Sequence, residues 1–287
     1  MQNQSFDLFP PHEMARKAED IGVAKVHKDN LSCFVSAMTA GAFIGIAFVF
    51  YTVVTTDNGA MGWGANKFIG GLAFSLGLML VVVNGGDLFT STVLTVVAKA
   101  SGKITWGELG KNWLIVYAGN FVGAFGLVII MQLAKHWESD SGLLGINYMA
   151  IAQHKLHHSF IQAVALGAMC NVLVCLGVWM SYAGRSLTDK LLAVVLPVAM
   201  FVASGFEHCV ANMFQIPMAI LTRHLAGPEF WAASGADPAN FADLTWANFV
   251  LHNLIPVTIG NIIGGGVIVG LAYWVIYLRP SVRDAAH

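Results

Sequence analysis

The sequence predicts an all-α membrane protein of six transmembrane helices, built as an inverted repeat of three and three, with helices two and five broken at the bilayer midplane. Three observations lead there. Hydrophobic residues make up 56% of the 287-residue chain and charged residues 11%, against about 25% charge in a soluble domain. Several apolar runs reach the roughly 20 residues that a span requires. The second and fifth runs are too long for one crossing and too short for two, and each carries a polar, glycine-containing interruption, NGGDLFTST at 84–92 and SGFEHCVAN at 204–212.

Composition also excludes. A formal net charge of -1 gives no footprint for nucleic acid. Cys33, Cys170, Cys175 and Cys209 sit in apolar stretches at spacings that match neither a metal site nor a disulfide framework. The polar, acid-containing N-terminus is no cleavable signal peptide. There is no phosphate loop, dinucleotide loop, HExxH or serine-nucleophile context, so neither an enzyme nor a cofactor is expected.

Residues 1–30 form a polar head. After Pro10 and Pro11, Met14, Ala18 and Ile21 fall near one helical face. Such a segment can lie on the membrane or against a cytoplasmic mouth; a plain amphipathic anchor fits as well. The membrane domain covers 31–280, with halves at about 31–135 and 157–280, and 281–287 form a tail. The spans run Leu31–Thr55, Phe68–Ala98, Trp113–Leu133, Phe160–Tyr182, Leu187–Leu221 and Trp246–Leu278. Helix, irregular break and second half-helix account for runs two and five. Irregular backbone at membrane depth is tolerated only under protein cover or along a cavity.

The halves share a signature. GNFVGA at 119–124 matches GNIIGG at 260–265, each follows a Thr-Trp pair (105–106 and 245–246), and Gly85-Gly86-Asp87 matches Gly205-Phe206-Glu207. A three-span unit begins its second copy on the opposite side, so the repeat is inverted. Small-residue pairs at GxxxG spacing (41/45, 119/123, 260/264, 266/270) predict close helix approach. Arg16, Lys17, Lys25, Lys28, Lys99, Lys103, Lys111, Arg185, Lys190, Arg279 and Arg283 fall on one side, and Lys67, Lys135, Lys155 and Arg223 on the other. By the positive-inside rule both termini are cytoplasmic.

Only His208 lies in mid-membrane. It reads as a pore-facing hydrogen-bond donor or proton carrier, or as a core histidine bonded to a carbonyl; a metal site lacks further ligands. Asp87 and Glu207 hold equivalent places and are expected to accept the N–H groups freed at each break, leaving positive half-helix ends toward the pore. A proton relay is the other reading for Glu207. Thr90 can face His208, or bond its own backbone. Asn171 is placed to bond the break or His208. Asn120 and Asn261, repeat equivalents, are expected to satisfy backbone near the breaks. Phe74, Leu78, Leu88, Phe89 and Phe201 are candidate constrictions that exclude hydrated ions by desolvation.

At GGDLFTS (85–91) and GFEHCVANM (205–213) the sequence resembles the formate/nitrite transporter family, most closely its bacterial formate channels, over roughly residues 15–280. The resemblance implies an aquaporin-like six-helix fold, a homopentamer with one pore per protomer, a bacterial inner-membrane location and small monovalent acid anions, chiefly formate, as cargo. It pairs His208 with Thr90, supported by Asn171 and Glu207. It puts the cytoplasmic constriction at Leu78 with Leu88 and Phe89 nearby, the periplasmic one at Phe201, and pH-dependent closure near residues 10–30. The sole mid-membrane histidine beside an apolar path adds the expectation of passive, bidirectional passage, with His208 either exchanging protons with the anion or only hydrogen-bonding it. Nitrite, hydrosulfide, acetate and lactate are the competing cargoes. A water or glycerol channel would need paired Asn-Pro-Ala breaks, which are absent, and a structural or sensory protein would have little use for His208.

Overall fold

A computed structural model describes residues 8–57 and 59–279; the tail expected at 281–287 lies outside them. The described residues form helices and turns. Five helices are long and apolar enough to cross a membrane: α2 (Asn30–Thr55), α3 (Trp63–Asn84), α5 (Trp106–Leu133), α7 (Phe160–Ala183) and α11, which covers residues 246–278. The fifth apolar run contributes no single long helix. It is divided into α8 (Leu187–Ala203) and α9 (Cys209–Leu225). The second run continues past α3 into α4 (Phe89–Ala100).

Helix starts follow local chemistry. Pro11 opens α1 (Pro11–Val26) at the position where its missing N–H costs nothing. The Asp29 carboxylate caps α2 through the Ser32 N–H at 3.0 Å, and the Ser159 hydroxyl caps α7 through the Gln162 N–H at 3.3 Å. Capping boxes, Thr105 with Glu108 and Ser186 with Asp189, begin α5 and α8. The box starts α5 at Trp106, ahead of the expected Trp113. α11 carries π-helical turns at Phe249–Leu254, Ile263–Leu271 and Trp274–Leu278.

One helix was not foreseen. The stretch between the two expected halves holds α6 (Leu143–Leu156), which buries Tyr148, Met149 and Ala152 and packs on α9. It stands before α7 as α1 stands before α2. A seven-residue helix, α10 (Pro228–Ser234), lies in the Gly/Pro-rich stretch after α9.

Glycines set the close approaches. α2 packs on α5, where a Cβ at Gly123 would overlap the Met38 carbonyl oxygen; α7 packs on α11, where a Cβ at Gly264 would overlap that of Ala168. Gly266 is different: a Cβ there would meet nothing nearer on another helix than the Val93 oxygen, at 3.9 Å. Gly123→Leu will therefore eliminate most folded protein, because backbone on the facing helix cannot yield as a side chain can. Detergent-solubilised yield of a monodisperse species checks this; wild-type yield would show that the α2–α5 approach is dispensable. The core centres on α9, whose residues 209–220 are all buried, with α4 beside it.

Candidate functional site

Helices α3 and α8 end in the same way. Gly85 (φ 72°) and Gly205 (φ 71°) take left-handed conformations that a side chain would strain. The next residue then bonds five back: Gly86 N–H to the Val81 carbonyl at 2.9 Å, and Phe206 N–H to that of Phe201 at 3.0 Å. These are Schellman closures. After a few extended residues the chain re-enters helix at Phe89 and at Cys209.

Asn120 from α5 spans the first break and Asn261 from α11 the second. The Asn120 amide donates to the carbonyls of Ala37 (2.8 Å) and Asp87 (2.9 Å) and accepts the Phe89 N–H at 2.8 Å. Asn261 donates to Gly167 (2.7 Å) and Glu207 (2.9 Å) and accepts the Cys209 N–H at 2.9 Å. Both amides are fully buried, and the bonds they make go to backbone, including the Asp87 and Glu207 carbonyls and the Phe89 and Cys209 N–H groups at the breaks.

The two acids do not accept the freed N–H groups. Each meets basic residues at or just after the end of a short helix, α1 or α6. Asp87 receives Lys28 at 2.7 Å and Lys25 at 3.2 Å, and its backbone N–H donates to the Ser36 hydroxyl. Glu207 receives Lys155 at 2.9 Å, with His158 at 3.8 Å, and its other oxygen accepts the amides of Asn212 (2.7 Å) and Asn253 (3.2 Å). Even the props correspond: Asn112 donates to the Lys25 carbonyl, Asn253 to that of Lys155.

His208 caps α9. Its Nδ1 accepts the Ala211 N–H at 3.1 Å, and its Nε2 lies 3.0 Å from the Thr90 hydroxyl. An imidazole that accepts at Nδ1 carries its proton on Nε2, so the ring donates to Thr90. Its face stacks on Phe201 at 5.9 Å. Asn171 makes no hydrogen bond to His208; its amide donates to the carbonyls of Thr90 (2.9 Å) and Asn261 (2.6 Å), tying α4 to α11.

A cavity of about 280 Å³ runs down to His208, lined by Phe74, Phe201, Tyr51, Lys67, His154, Lys155 and Glu207 among others. Beyond the ring it narrows to about 10 Å³ between Ile44, Phe74, Leu78, Leu88, Val174, Val198 and Phe201, room for about one water. Phe74, Leu78, Leu88 and Phe201 thus meet at one apolar neck. Phe89 does not: its ring packs on Tyr117 (4.8 Å) and Trp113 (6.2 Å) and lines a separate groove on the outer face. Among the described residues no group of three or more His, Cys, Asp or Glu could hold a metal ion.

The cations at the acids were the main omission of the sequence reading. Their signal was present: KVHKD at 25–29 and KLHHS at 155–159 are a further repeat, as are Asn112 and Asn253, each eight residues before its break-spanning asparagine.

A family model described as formate/nitrite transporter matches residues 12–275. The formate channel FocA of Escherichia coli K12 is 61% identical over 276 residues, 96% of this chain and 97% of that one. A solved structure described as a pentameric formate channel with formate bound superimposes with a TM-score of 0.83 at 61% identity, covering 87% of this chain and 98% of that chain. An FNT family ion channel superimposes with a TM-score of 0.77 at 25% identity, covering 92% and 98%.

Proposed function

This chain belongs to the formate/nitrite transporter family, and on that premise we propose that it is a passive, bidirectional formate channel of the bacterial inner membrane, assembled as a homopentamer. The observation that carries the reading is His208 Nε2 set 3.0 Å from Thr90 between a mouth lined by cations and an apolar neck. The printed descriptions of FocA and of the pentameric channel supply cargo and assembly.

In this reading α3–α4 and α8–α9 are single crossings interrupted at the midplane, which gives six spans in two inverted halves. Each half includes its short leading helix, α1 or α6. The matched closures, asparagines and lysines support that division. The excess of basic residues beside the termini supports a cytoplasmic placement for them.

Formate would gather at the mouth near Lys67 and Lys155 and shed water at the neck, where apolar walls exclude hydrated inorganic ions by desolvation. The N-terminal ends of α4 and α9 offset part of that cost for an anion. At the centre the carboxylate can displace Thr90 as acceptor of the His208 N–H, while the Thr90 hydroxyl donates to it. Proton exchange would need the imidazolium: Nδ1 gives up the Ala211 N–H and takes a proton, Nε2 then passes its own proton to formate, and a neutral ring and neutral formic acid result, which couples movement to a proton gradient.

In proteoliposomes, formate is expected to outpace nitrite, acetate and lactate; equal flux of a larger acid would overturn the choice of cargo. His208→Ala is expected to reduce pH-gradient-driven formate accumulation at least about tenfold, on the scale of a lost general acid. Wild-type flux and pH dependence in both directions would refute proton exchange at this ring.

A further inference from the structure

The correspondence between the two acid clamps fails at one position. Lys25 and Lys155 are equivalent, each next to last in its short helix. Lys28 and His158 are also equivalent, each immediately before the residue that caps α2 or α7. Lys28 grips Asp87 at 2.7 Å, whereas His158 Nε2 stops 3.8 Å from Glu207 Oε1. That nitrogen is buried with no hydrogen-bond partner, and the His158 side chain is 9% exposed. A buried nitrogen left unpaired beside a carboxylate is costly unless it can take up a proton and donate.

We propose that His158 is a proton-operated positioning residue: on protonation it closes on Glu207, completes the second clamp as Lys28 completes the first, and firms the break that presents His208 to the anion. The proposal rests on the channel reading above. Imidazole is the side chain that changes charge between pH 5 and 8, so one clamp is permanently doubled and the other is doubled only in acid.

The surrounding charges favour this assignment. From α6, Lys155 shares Glu207 with His158, and the His154 ring stands 5.1 Å from that of His158. Burial, with His158 and Lys155 nearby, holds His154 below its ordinary value. His157 is engaged elsewhere, 2.6 Å from Asp243. Lys67 on α3 faces His154 across the mouth. Glu207 is the carboxylate these groups share.

The test is formate flux in oriented proteoliposomes, with pH varied from 5 to 8 on each side separately. The wild-type channel should show a step of about threefold with pH on the face bearing His158, higher in acid because an added cation concentrates anions at the mouth. His158→Lys should remove the step and hold flux at the acid level; His158→Gln should hold it at the alkaline level. His154→Gln should keep the step. A His158→Lys channel with the wild-type pH profile, or a step that disappears with His154, would overturn the proposal. His158→Lys restores the chemistry of the other clamp, so it carries the test if the Gln variant does not assemble. A wild-type protein that moves no formate at any pH would instead refute the channel reading.

Discussion

Asn261→Leu will yield little assembled protein, although leucine nearly matches asparagine in size. The substitution strips the Glu207 carbonyl and the Cys209 N–H of their partner amide. Both groups belong to a buried break, where no helix ladder can take them over. Each orphaned group costs about 1–3 kcal/mol, and the lower end applies because a chain unfolded within the membrane finds partners too. The expected loss is therefore about 2–4 kcal/mol, enough to empty a marginal folded state. Thermal aggregation of purified protein measures it. Asn120→Leu should behave alike through Asp87 and Phe89. If either variant melted with the wild type, these asparagines would not hold the breaks.

Lys155→Met should be far more harmful than Glu207→Gln. The Glu207 side chain is only 2% exposed, and its short charge contact is Lys155 at 2.9 Å. Removing that partner leaves a buried carboxylate with two amides and a distant imidazole. Such a one-sided deletion costs about 3–5 kcal/mol. Removing the carboxylate instead leaves Lys155 at the edge of the open cavity, where water can solvate it. Lys25→Met should cost less, since Lys28 still holds Asp87. Ranking the three variants by melting temperature checks the argument; equal stability of Lys155→Met and Glu207→Gln would sink it.

Much of the frame was legible in the sequence. The breaks were marked by length, polarity and glycine at Gly85 and Gly205, because a left-handed residue is nearly a glycine signature. Asn120 and Asn261 were legible as equivalents because the repeat aligned them. The roles of the acids were misread: a carboxylate near exposed N–H groups suggests capping, but the lysines that pair with Asp87 and Glu207 lie 59 and 52 residues away in sequence. Composition could not reveal α6, because its moderate length and mixed residues resemble an ordinary connecting loop.

By itself, the sequence determined the all-α membrane class, the two glycine-bearing interruptions and the placing of one histidine in apolar surroundings, since hydrophobicity, glycine and periodicity act locally. Only the tertiary structure set Phe89 against Tyr117 instead of the neck, put the His208 proton on Nε2 by engaging Nδ1 with Ala211, and left His158 short of Glu207 where Lys28 reaches Asp87. Those outcomes depend on how far each helix is rotated and how closely its neighbours approach. The close glycine contacts along α2, α5, α7 and α11 fix that geometry for the whole bundle at once.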